Sequence, residues 1–334
     1  MEKLVALSVN SEPVNSEPLV SIIINNYNYG RFLNFAIDSA LNQTYPHIEV
    51  IVVDDGSTDN SREIIASYGE RVIPLFKENG GHASTFNAGF KICHGEIVCF
   101  LDSDDLFCPD KVEECVRVLV EKMQNNPLVM VYHLLEIVDQ AGNSLERFEP
   151  TSIWNYPPNL YEHALKYRFF PYPAAPTTGD AFSRKLLEAV LPIPERGKNY
   201  LNNAAENVVV RAAALLGEVH AIDKTLAKYR HHGDNSWHGT GWNPDKFREF
   251  TTLRDNFLNQ KLKEYQKEPI ISFFDSMDSK YYYQQANAYD EVIKLAVRVI
   301  QWRISPESLV FFVKAFIQYC LWLINPKFVQ LKEK

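Results

Sequence analysis

Positive charge is scarce in this 334-residue chain. It carries 34 Lys and Arg residues against 42 Asp and Glu residues, for a formal net charge of −8 at pH 7. Nonspecific binding to nucleic acid requires a basic face, because Lys and Arg side chains neutralise the phosphates. The composition therefore argues against a nucleic-acid partner, and the length is sufficient for one large core with an extension.

Cysteine is scarce as well, and its spacing does not indicate a metal site. The five cysteines are an odd number without zinc-site spacing: Cys93, Cys99, Cys108, Cys115 and Cys320. Cys99 falls in a continuous apolar run, where a reduced core thiol is expected. We therefore expect a cytoplasmic protein rather than one held together by disulfides.

The start of the chain lacks the pattern of a signal peptide. Residues 1–10 have no basic flank and only a short apolar stretch. Residues 9–13 and 14–18 then repeat the pentapeptide Val-Asn-Ser-Glu-Pro. Repeated Ser-Glu-Pro cannot build a hydrophobic core, so we expect a disordered leader over residues 1–18.

What is present is a predicted buried strand that ends in three carboxylates. The apolar run 97–101 predicts a strand covered on both faces, and Asp102, Ser103, Asp104 and Asp105 follow it directly. Ligands bind at this end of a strand in an open α/β sheet. Three acids there would repel one another unless a cation lies among them, and a hard divalent ion bound to phosphate oxygens fits. A solvated acidic turn that caps the next helix is the alternative.

An earlier part of the sequence also contains predicted buried strands that end in polar or acidic residues. The apolar strand 20–24 runs into a polar turn and a predicted helix, and the strand 48–53 that follows ends in two further acids. Both strands are expected in one parallel sheet. Asp55 is a candidate to accept hydrogen bonds from a base or ribose. Tyr27 offers a stacking face, or it packs at the mouth of the strand.

These segments resemble family 2 glycosyltransferases of the GT-A fold. The resemblance covers roughly residues 19–120 and extends more weakly to about residue 240. The segments that carry it, in the family's order, are VSIIINNYN at 20–28, SALNQTYP at 39–46, VVDDGSTD at 52–59, NGG at 79–81, NAG at 87–89, GE at 95–96 and LDSDD at 101–105. It implies an α/β, Rossmann-like, mostly parallel sheet flanked by helices. It also implies transfer of a sugar (hexosyl or N-acetylhexosaminyl) from a nucleotide donor, usually a UDP-sugar, with inversion at the anomeric carbon.

The resemblance implies a set of binding residues. The nucleotide-sugar would contact Asn25, Tyr27, Asp55, Asn87, Asp102, Ser103 and His232. A Mn²⁺ or Mg²⁺ ion would be held by ligands drawn from Asp102, Asp104, Asp105 and His232. Asn87 has the alternative of bonding to local backbone, and Phe86 stands where some family members carry Arg. Arg230 lies two residues before His232 in a predicted strand and is expected to share its face.

The catalytic base is expected on the helix that follows residue 202. The acceptor hydroxyl must lose its proton as it attacks, which requires one carboxylate near it. Glu206 matches the family's acidic position, counted back from Gly217, although the family usually places Asp there. Its alternative role is that of a first-turn acid that interacts with the helix dipole.

The acceptor is expected to bind in the second half of the predicted domain. Residues 154–176 are rich in aromatic residues and proline, which suits either a sugar-binding cleft or subdomain packing. The loop 176–184 resembles the family's small-residue loop below the acceptor site, and Asp180 stands where Asn is common. Asp180 either binds an acceptor hydroxyl or caps the helix expected near Arg184.

The last ninety residues contain none of the segments that resemble the family. Their sequence predicts three helices, at about 245–265, 270–302 and 306–324. The third helix is apolar but too short, with Lys314 inside it, for a membrane span. Its alternatives are packing on a neighbouring helix, a homodimer surface, or peripheral contact with the inner face of the membrane. The expected division is a leader at 1–18, a GT-A domain at 19–240 (nucleotide-sugar half 19–125, acceptor half 126–240) and a helical extension at 241–334.

The sequence thus predicts a metal-dependent inverting glycosyltransferase of the kind found in polysaccharide biosynthesis, acting on a glycan or lipid-linked acceptor. A non-catalytic nucleotide-sugar-binding or scaffold protein on the same fold is the alternative, and it would be expected to have lost the acids. A dinucleotide-dependent dehydrogenase would need Gly-x-Gly-x-x-Gly after the first strand, and a nucleotidyltransferase a basic glycine-rich loop. Here the turn is Asn-Asn-Tyr-Asn-Tyr-Gly with only Arg31 nearby.

Overall fold

A computed structural model describes residues 14–153, 156–167, 170, 176–195, 205–233 and 244–269. The strands are β1 (Val20–Asn26), β2 (Ile48–Asp54), β3 (Ile73–Phe76), β4 (Ile97–Asp102), β5 (Leu106–Phe107), β6 (Val129–Val138), β7 (Ser144–Glu149), β8 (Asp180–Ser183) and β9 (Glu218–Arg230). The helices are α1 (Gly30–Leu41), α2 (Ser61–Ser67), α3 (His82–Ile92), α4 (Lys111–Met123), α5 (Leu160–Tyr167), α6 (Arg184–Val190), α7 (Ala205–Leu216) and α8 (Pro244–Glu264).

The described strands form one sheet in the order β3-β2-β1-β4-β8-β6-β9-β5, with β7 paired to β6. The strands β3, β2, β1 and β4 are parallel, which confirms the expected pairing of the two apolar units. β8 joins this half to β6 in antiparallel orientation, and β6 and β9 are parallel to each other. Asn26 lies opposite Asp54 and Asn25 opposite Asp102, so the polar ends of three strands meet at one edge of the sheet.

Helices cover both faces of the sheet, which explains the unbroken apolar runs. Ile22 and Ile24 of β1 face a core with residues of α1 and α4. Ile23, between them, faces the other core, with residues of α3, α6 and α7. Because successive side chains of a strand point to opposite faces, both sets must be apolar. The α/β architecture predicted from the sequence is confirmed.

The strand pairing explains two local features of the sequence. Pro74 lies in β3 at the end of the strand order, and among the described strands β3 pairs with β2 alone. Proline has no backbone N–H to donate, so an edge position suits it. The turn after β6 is a hairpin, in which the Asn143 N–H donates to Asp139 Oδ1 at 2.8 Å and β7 returns along β6.

The second pentapeptide is placed against the sheet, which corrects part of the expected leader. The buried Tyr45 hydroxyl donates to the backbone oxygen of Pro18 at 2.7 Å, and Asn15 Nδ2 donates to Glu96 at 2.9 Å. These contacts hold residues 14–18 at the start of β1. The first thirteen residues of the expected leader lie outside the described residues.

The first helix expected in the C-terminal extension is confirmed as α8. Its residues Phe257, Leu258 and Leu262 belong to the same hydrophobic core as α7. Arg254 NH1 donates to Asn207 Oδ1 of α7 at 3.1 Å, so α8 is tied to the helix that carries Glu206. In the ranges that the structure covers, no helix is long and apolar enough to cross a membrane. The helices expected at 270–302 and 306–324 lie outside those ranges.

Candidate active site

Two aspartates of the turn after β4 face histidines from other elements. Asp102 Oδ1 lies 3.7 Å from Nε2 of His82, the first residue of α3. Asp104 Oδ2 lies 2.9 Å from Nε2 of His232, just beyond β9, and the His232 ring packs at 5.1 Å from the ring of Phe32. The ends of β4 and β9 and the start of α3 therefore meet at one place, beside the start of α1.

The third aspartate points into the protein. The turn closes with the Asp105 N–H donating to the Asp102 carbonyl at 3.0 Å. Asp105 Oδ1 accepts from the Arg230 backbone N–H at 2.8 Å, and Oδ2 accepts from Thr178 Oγ1 at 2.7 Å. Burial, together with the charges of Asp104 and Asp102, raises the pKa of Asp105 well above its usual value. Because both carboxylate oxygens are engaged inside the fold, the prediction that Asp105 is a metal ligand is corrected to a structural role.

Arg230 holds the backbone of the acidic turn. Its Nε donates to the Asp104 carbonyl at 2.8 Å, and its NH1 donates to the Gln140 carbonyl at 2.9 Å. The guanidinium lies 5.0 Å from the centre of the Phe32 ring. The sequence predicted that Arg230 and His232 lie on the same face of a strand. The structure shows that Arg230 positions Asp104, the aspartate to which His232 bonds.

The pair of outward-facing acids suits a hard divalent cation. Burial raises the pKa of the Asp104 carboxyl and the neighbouring Asp102 raises it further, against the hydrogen bond from His232. A cation between the two carboxylates would relieve that repulsion, and Mn²⁺ and Mg²⁺ prefer carboxylate, water and phosphate oxygens. Within the ranges that the structure describes, no three His, Cys, Asp or Glu side chains form a complete metal-binding group. Two neighbouring carboxylates fit an ion that takes its remaining ligands from a substrate and water.

Asp55 stabilises the turn that leads into α3. Its buried carboxylate accepts from the N–H groups of Gly80 and Gly81 at 2.9 and 2.8 Å, and from the Lys77 ammonium. Gly81 has φ of 82°, which glycine adopts without a steric penalty. A carboxylate has about four lone-pair sites, so three donors leave room for one ligand hydrogen bond. The nucleotide contact expected of Asp55 stays a prediction, and the structure adds its role in placing α3.

The other predicted donor-site residues of the first half lie around the end of β1. Tyr27 follows the strand with a side chain that is 47 % exposed, as a stacking face requires. Asn25 is buried, and within the part of the chain that the structure describes neither polar atom of its side-chain amide has a hydrogen-bond partner. Ser103 is buried in the acidic turn. Since buried polar groups are normally paired, the amide of Asn25 at this strand end is a group that a ligand can satisfy.

Asn87 does not face this site. Its Nδ2 donates to the Ile193 carbonyl at 2.8 Å and to Glu195 Oε1 at 2.7 Å, and its Oδ1 accepts from the Ile193 N–H at 3.0 Å. The amide therefore ties α3 to the segment after α6. This corrects the expected nucleotide contact: of the two roles considered, the structure supports backbone bonding, to a segment distant in sequence.

Glu206 lies in the first turn of α7 and interacts electrostatically with both His82 and Asp180. Burial lowers the pKa of His82, but hydrogen bonding to Asp102, together with the charges of Asp102, Glu206 and Asp104, raises it by more, so its net shift is upward. The charge of the predicted base therefore acts on the same histidine as the charges of the acidic turn. His82 was missed in the sequence, where a lone histidine after two glycines carries no signal.

Asp180 is a wholly buried acid, and neither of its carboxylate oxygens has a hydrogen-bond partner among the described residues. The cap of α6 is instead Ser183, whose hydroxyl accepts from the Leu186 N–H, so the capping role considered for Asp180 is wrong. Burial raises the pKa of Asp180 well above its usual value; Lys111 opposes this shift and Glu206 adds to it. The acceptor contact stays a prediction.

Replacing Asp180 with asparagine is expected to stabilise the protein increasingly as pH rises from 4 to 7. A raised pKa in the folded state means that the unfolded chain releases the proton first, so wild-type stability falls with rising pH. We expect the variant to gain about 1–3 kcal/mol at pH 7, because each unit by which the folded-state pKa is raised costs the wild type about 1.4 kcal/mol and the amide does not titrate. Urea denaturation at both pH values measures this. Asp223→Asn, on the exposed surface of β9, is the control. An equal difference for Asp180→Asn at both pH values would contradict the expectation.

Parts of the predicted acceptor side lie outside the described residues. These are Trp154, most of 168–175, residues 196–204 and the segment 234–243 that contains Trp237 and Trp242. Of the aromatic segment, Tyr161 and Phe170 are buried in the core beside α7. For these two rings the structure shows the packing role.

Comparison with known proteins agrees with this architecture. The family described as glycosyl transferase family 2 matches residues 21–191. An uncharacterized glycosyltransferase from Nostoc sp. is 37 % identical over 229 residues, which are 65 % of this chain and 66 % of that protein. Hyaluronan synthase from Pasteurella multocida is 33 % identical over 283 residues, covering 78 % of this chain but 28 % of the synthase. The chain thus spans just under two thirds of the first relative and under one third of the second.

A solved structure shares the fold. TarS residues 1–349 of S. aureus, in complex with UDP-GlcNAc, superimposes with a TM-score of 0.53 at 17 % identity, covering 82 % of this chain and 80 % of that one. The fold is accordingly that of GT-A glycosyltransferases. With the family match running from β1 through α6, across the acidic turn, the chain belongs to glycosyltransferase family 2.

Proposed function

We propose that the chain is a metal-dependent inverting glycosyltransferase that moves a sugar from a nucleotide donor to a hydroxyl of a glycan or lipid-linked acceptor. One observation carries the proposal. The partly exposed acids Asp102 and Asp104 lie with His232 and the amide of Asn25 around the carboxyl ends of β1 and β4, and that amide has no hydrogen-bond partner among the described residues. Glu206 of α7 raises the pKa of His82, as Asp102 and Asp104 also do.

UDP-sugars are the first donors to test. The TarS structure contains UDP-GlcNAc, and a relative is named hyaluronan synthase, which favours a polysaccharide acceptor. In this proposal Tyr27 stacks on the base, Asn25 and Asp55 bond to the nucleoside, and Asp102 and Ser103 line the ribose and diphosphate. A homodimer surface or a peripheral membrane contact at 306–324 stays a proposal.

The reaction needs a proton acceptor and a stabilised leaving group. Glu206 takes the proton of the acceptor hydroxyl, whose oxygen attacks the anomeric carbon from the face opposite the diphosphate. The bond from that carbon to the diphosphate oxygen breaks, and its electron pair stays on the diphosphate. Asp102 and Asp104, with His232 beside them, would hold a Mn²⁺ or Mg²⁺ ion, which would supply positive charge to that leaving group. Arg230 keeps Asp104 in place through its backbone carbonyl.

The proposal is tested by nucleotide release. We expect the purified protein with Mn²⁺ to release UDP from at least one UDP-sugar, faster with an oligosaccharide acceptor, and NMR of the product to show an inverted anomeric centre. Parallel GDP- and dTDP-sugars test the choice of nucleotide. Nucleotide binding without release from any donor would favour the non-catalytic alternative, and a retained anomeric configuration would contradict the role given to Glu206.

A further inference from the structure

His82 lies in the candidate site without a role in the reaction described so far. Its Nε2 is 3.7 Å from Asp102 Oδ1, and its side chain is a quarter exposed. The ring packs edge-on against Phe86 of the same helix, with ring centres 4.7 Å apart at 75°. Phe86 is fully buried, so it fixes one side of the imidazole while the nitrogen edge points to the acids.

Hydrogen bonds also fix the backbone immediately before His82 in the sequence. Asp55 accepts hydrogen bonds from both Gly80 and Gly81, immediately before His82. Gly81 in turn accepts the first hydrogen bonds of the helix, from the N–H groups of Ser84 and Thr85. The direction of the imidazole is therefore set before any ligand arrives, as a binding residue requires.

His82 lies among the acids Asp102, Asp104 and Glu206, so an anion next to it requires a metal ion at the two aspartates. The other cations near the acidic turn bond to the protein: Lys77 to Asp55, and Arg230 to the carbonyls of Asp104 and Gln140. The first turn of α3 contains no acid, and the positive end of a helix dipole adds to the field there. Asp102 and Asp104 each have a histidine within 4 Å, so an anion bound at the two aspartates through a metal would lie near both imidazole rings.

We propose that His82 is a donor-binding residue whose Nε2–H donates to a phosphate oxygen of the nucleotide diphosphate. The inference rests on the proposed function, since it requires a nucleotide diphosphate at the acidic turn. It predicts that His82 recognises the phosphates and contributes nothing to binding of the nucleoside alone.

The test compares UDP with uridine. With Mn²⁺ present, we expect His82→Ala to weaken UDP binding by about ten- to a hundredfold, the range for a hydrogen bond to a charged group. Uridine binding, followed by ligand-observed NMR, should be unchanged, and His82→Gln should recover part of the UDP affinity. The matched control is His94→Ala at the far end of α3, where the imidazole is exposed and lies beside Glu49. This control should bind both ligands as the wild type does.

Several results would overturn the inference. If His82→Ala loses affinity for UDP and uridine equally, His82 has a structural role. If its affinity for UDP is unchanged, His82 has no role in donor binding. Weaker binding of Mn²⁺ alone, with UDP affinity in EDTA unaffected by the substitution, would make His82 a metal ligand instead. If the wild type binds none of UDP, GDP and dTDP, the proposed function fails and this inference fails with it. If the wild type binds and His82→Ala binds equally well, only this inference fails.

Discussion

Replacing Asp104 with alanine is expected to abolish the metal-dependent part of UDP binding. Asp104 presents its carboxylate to His232 at 2.9 Å, beside Asp102, and its backbone is held by Arg230. Loss of a residue that only supports a metal ligand typically costs about 10–100-fold in metal affinity, so loss of a direct ligand should cost at least the upper end of that range. Calorimetric titration of UDP with and without Mn²⁺ measures the effect.

Asp105→Asn is the matched control for this result. The two aspartates are adjacent, but Asp105 is bonded to Thr178 and to the Arg230 backbone inside the protein. We expect the Asp105 variant to lose thermal stability and, once folded, to keep metal-dependent UDP binding within a few fold. The reverse pattern, with Asp104→Ala binding normally and Asp105→Asn losing the metal dependence, would contradict the assignment of the ligands.

Replacing Glu206 with glutamine is expected to lower kcat by about 10²–10⁴-fold, the usual contribution of a general base. The affinity for UDP should not change, because the base acts on the acceptor. Single-turnover rates with the donor identified by the release assay, together with UDP titrations, separate these two effects. A loss of UDP affinity equal to the loss of rate would place Glu206 in the donor site instead.

The alternative role of Glu206 as a first-turn acid has its own control. Glu63 occupies the first turn of α2 and is exposed. Glu63→Gln should cost about 0.3–1 kcal/mol through the helix dipole and leave turnover unchanged. If Glu206→Gln behaves in the same way, with a small stability loss and normal kcat, the base lies elsewhere.

The strand ends were predictable from the sequence for a physical reason. Apolar runs such as 97–101 indicate strands buried on both faces, and parallel strands place their carboxyl ends at one edge. Polar residues directly after those runs, such as Asn25 and Asp102, therefore had to come together. The pairing of Asn25 with Asp102 across β1 and β4 confirms this.

The assignments within the site were not predictable, because they depend on partners that are distant in sequence. Asp104 and Asp105 are neighbours with the same chemistry, and only the contacts of Asp105 with Thr178 and Arg230 separate them. Asn87 fits a family motif, yet its amide is used by Ile193, 106 residues away. No local pattern marks such long-range hydrogen bonds, since the fold creates them.

The central claim is that the acidic turn and His232 bind a nucleotide diphosphate together with a divalent metal. The most direct measurement is calorimetric titration of UDP, GDP and dTDP into the wild-type protein in Mn²⁺, repeated after EDTA. The account predicts saturable binding of one of these diphosphates in Mn²⁺, with UDP expected, and a large loss of that binding in EDTA. Equal affinity with and without the metal, or no binding of any of the three, would contradict it.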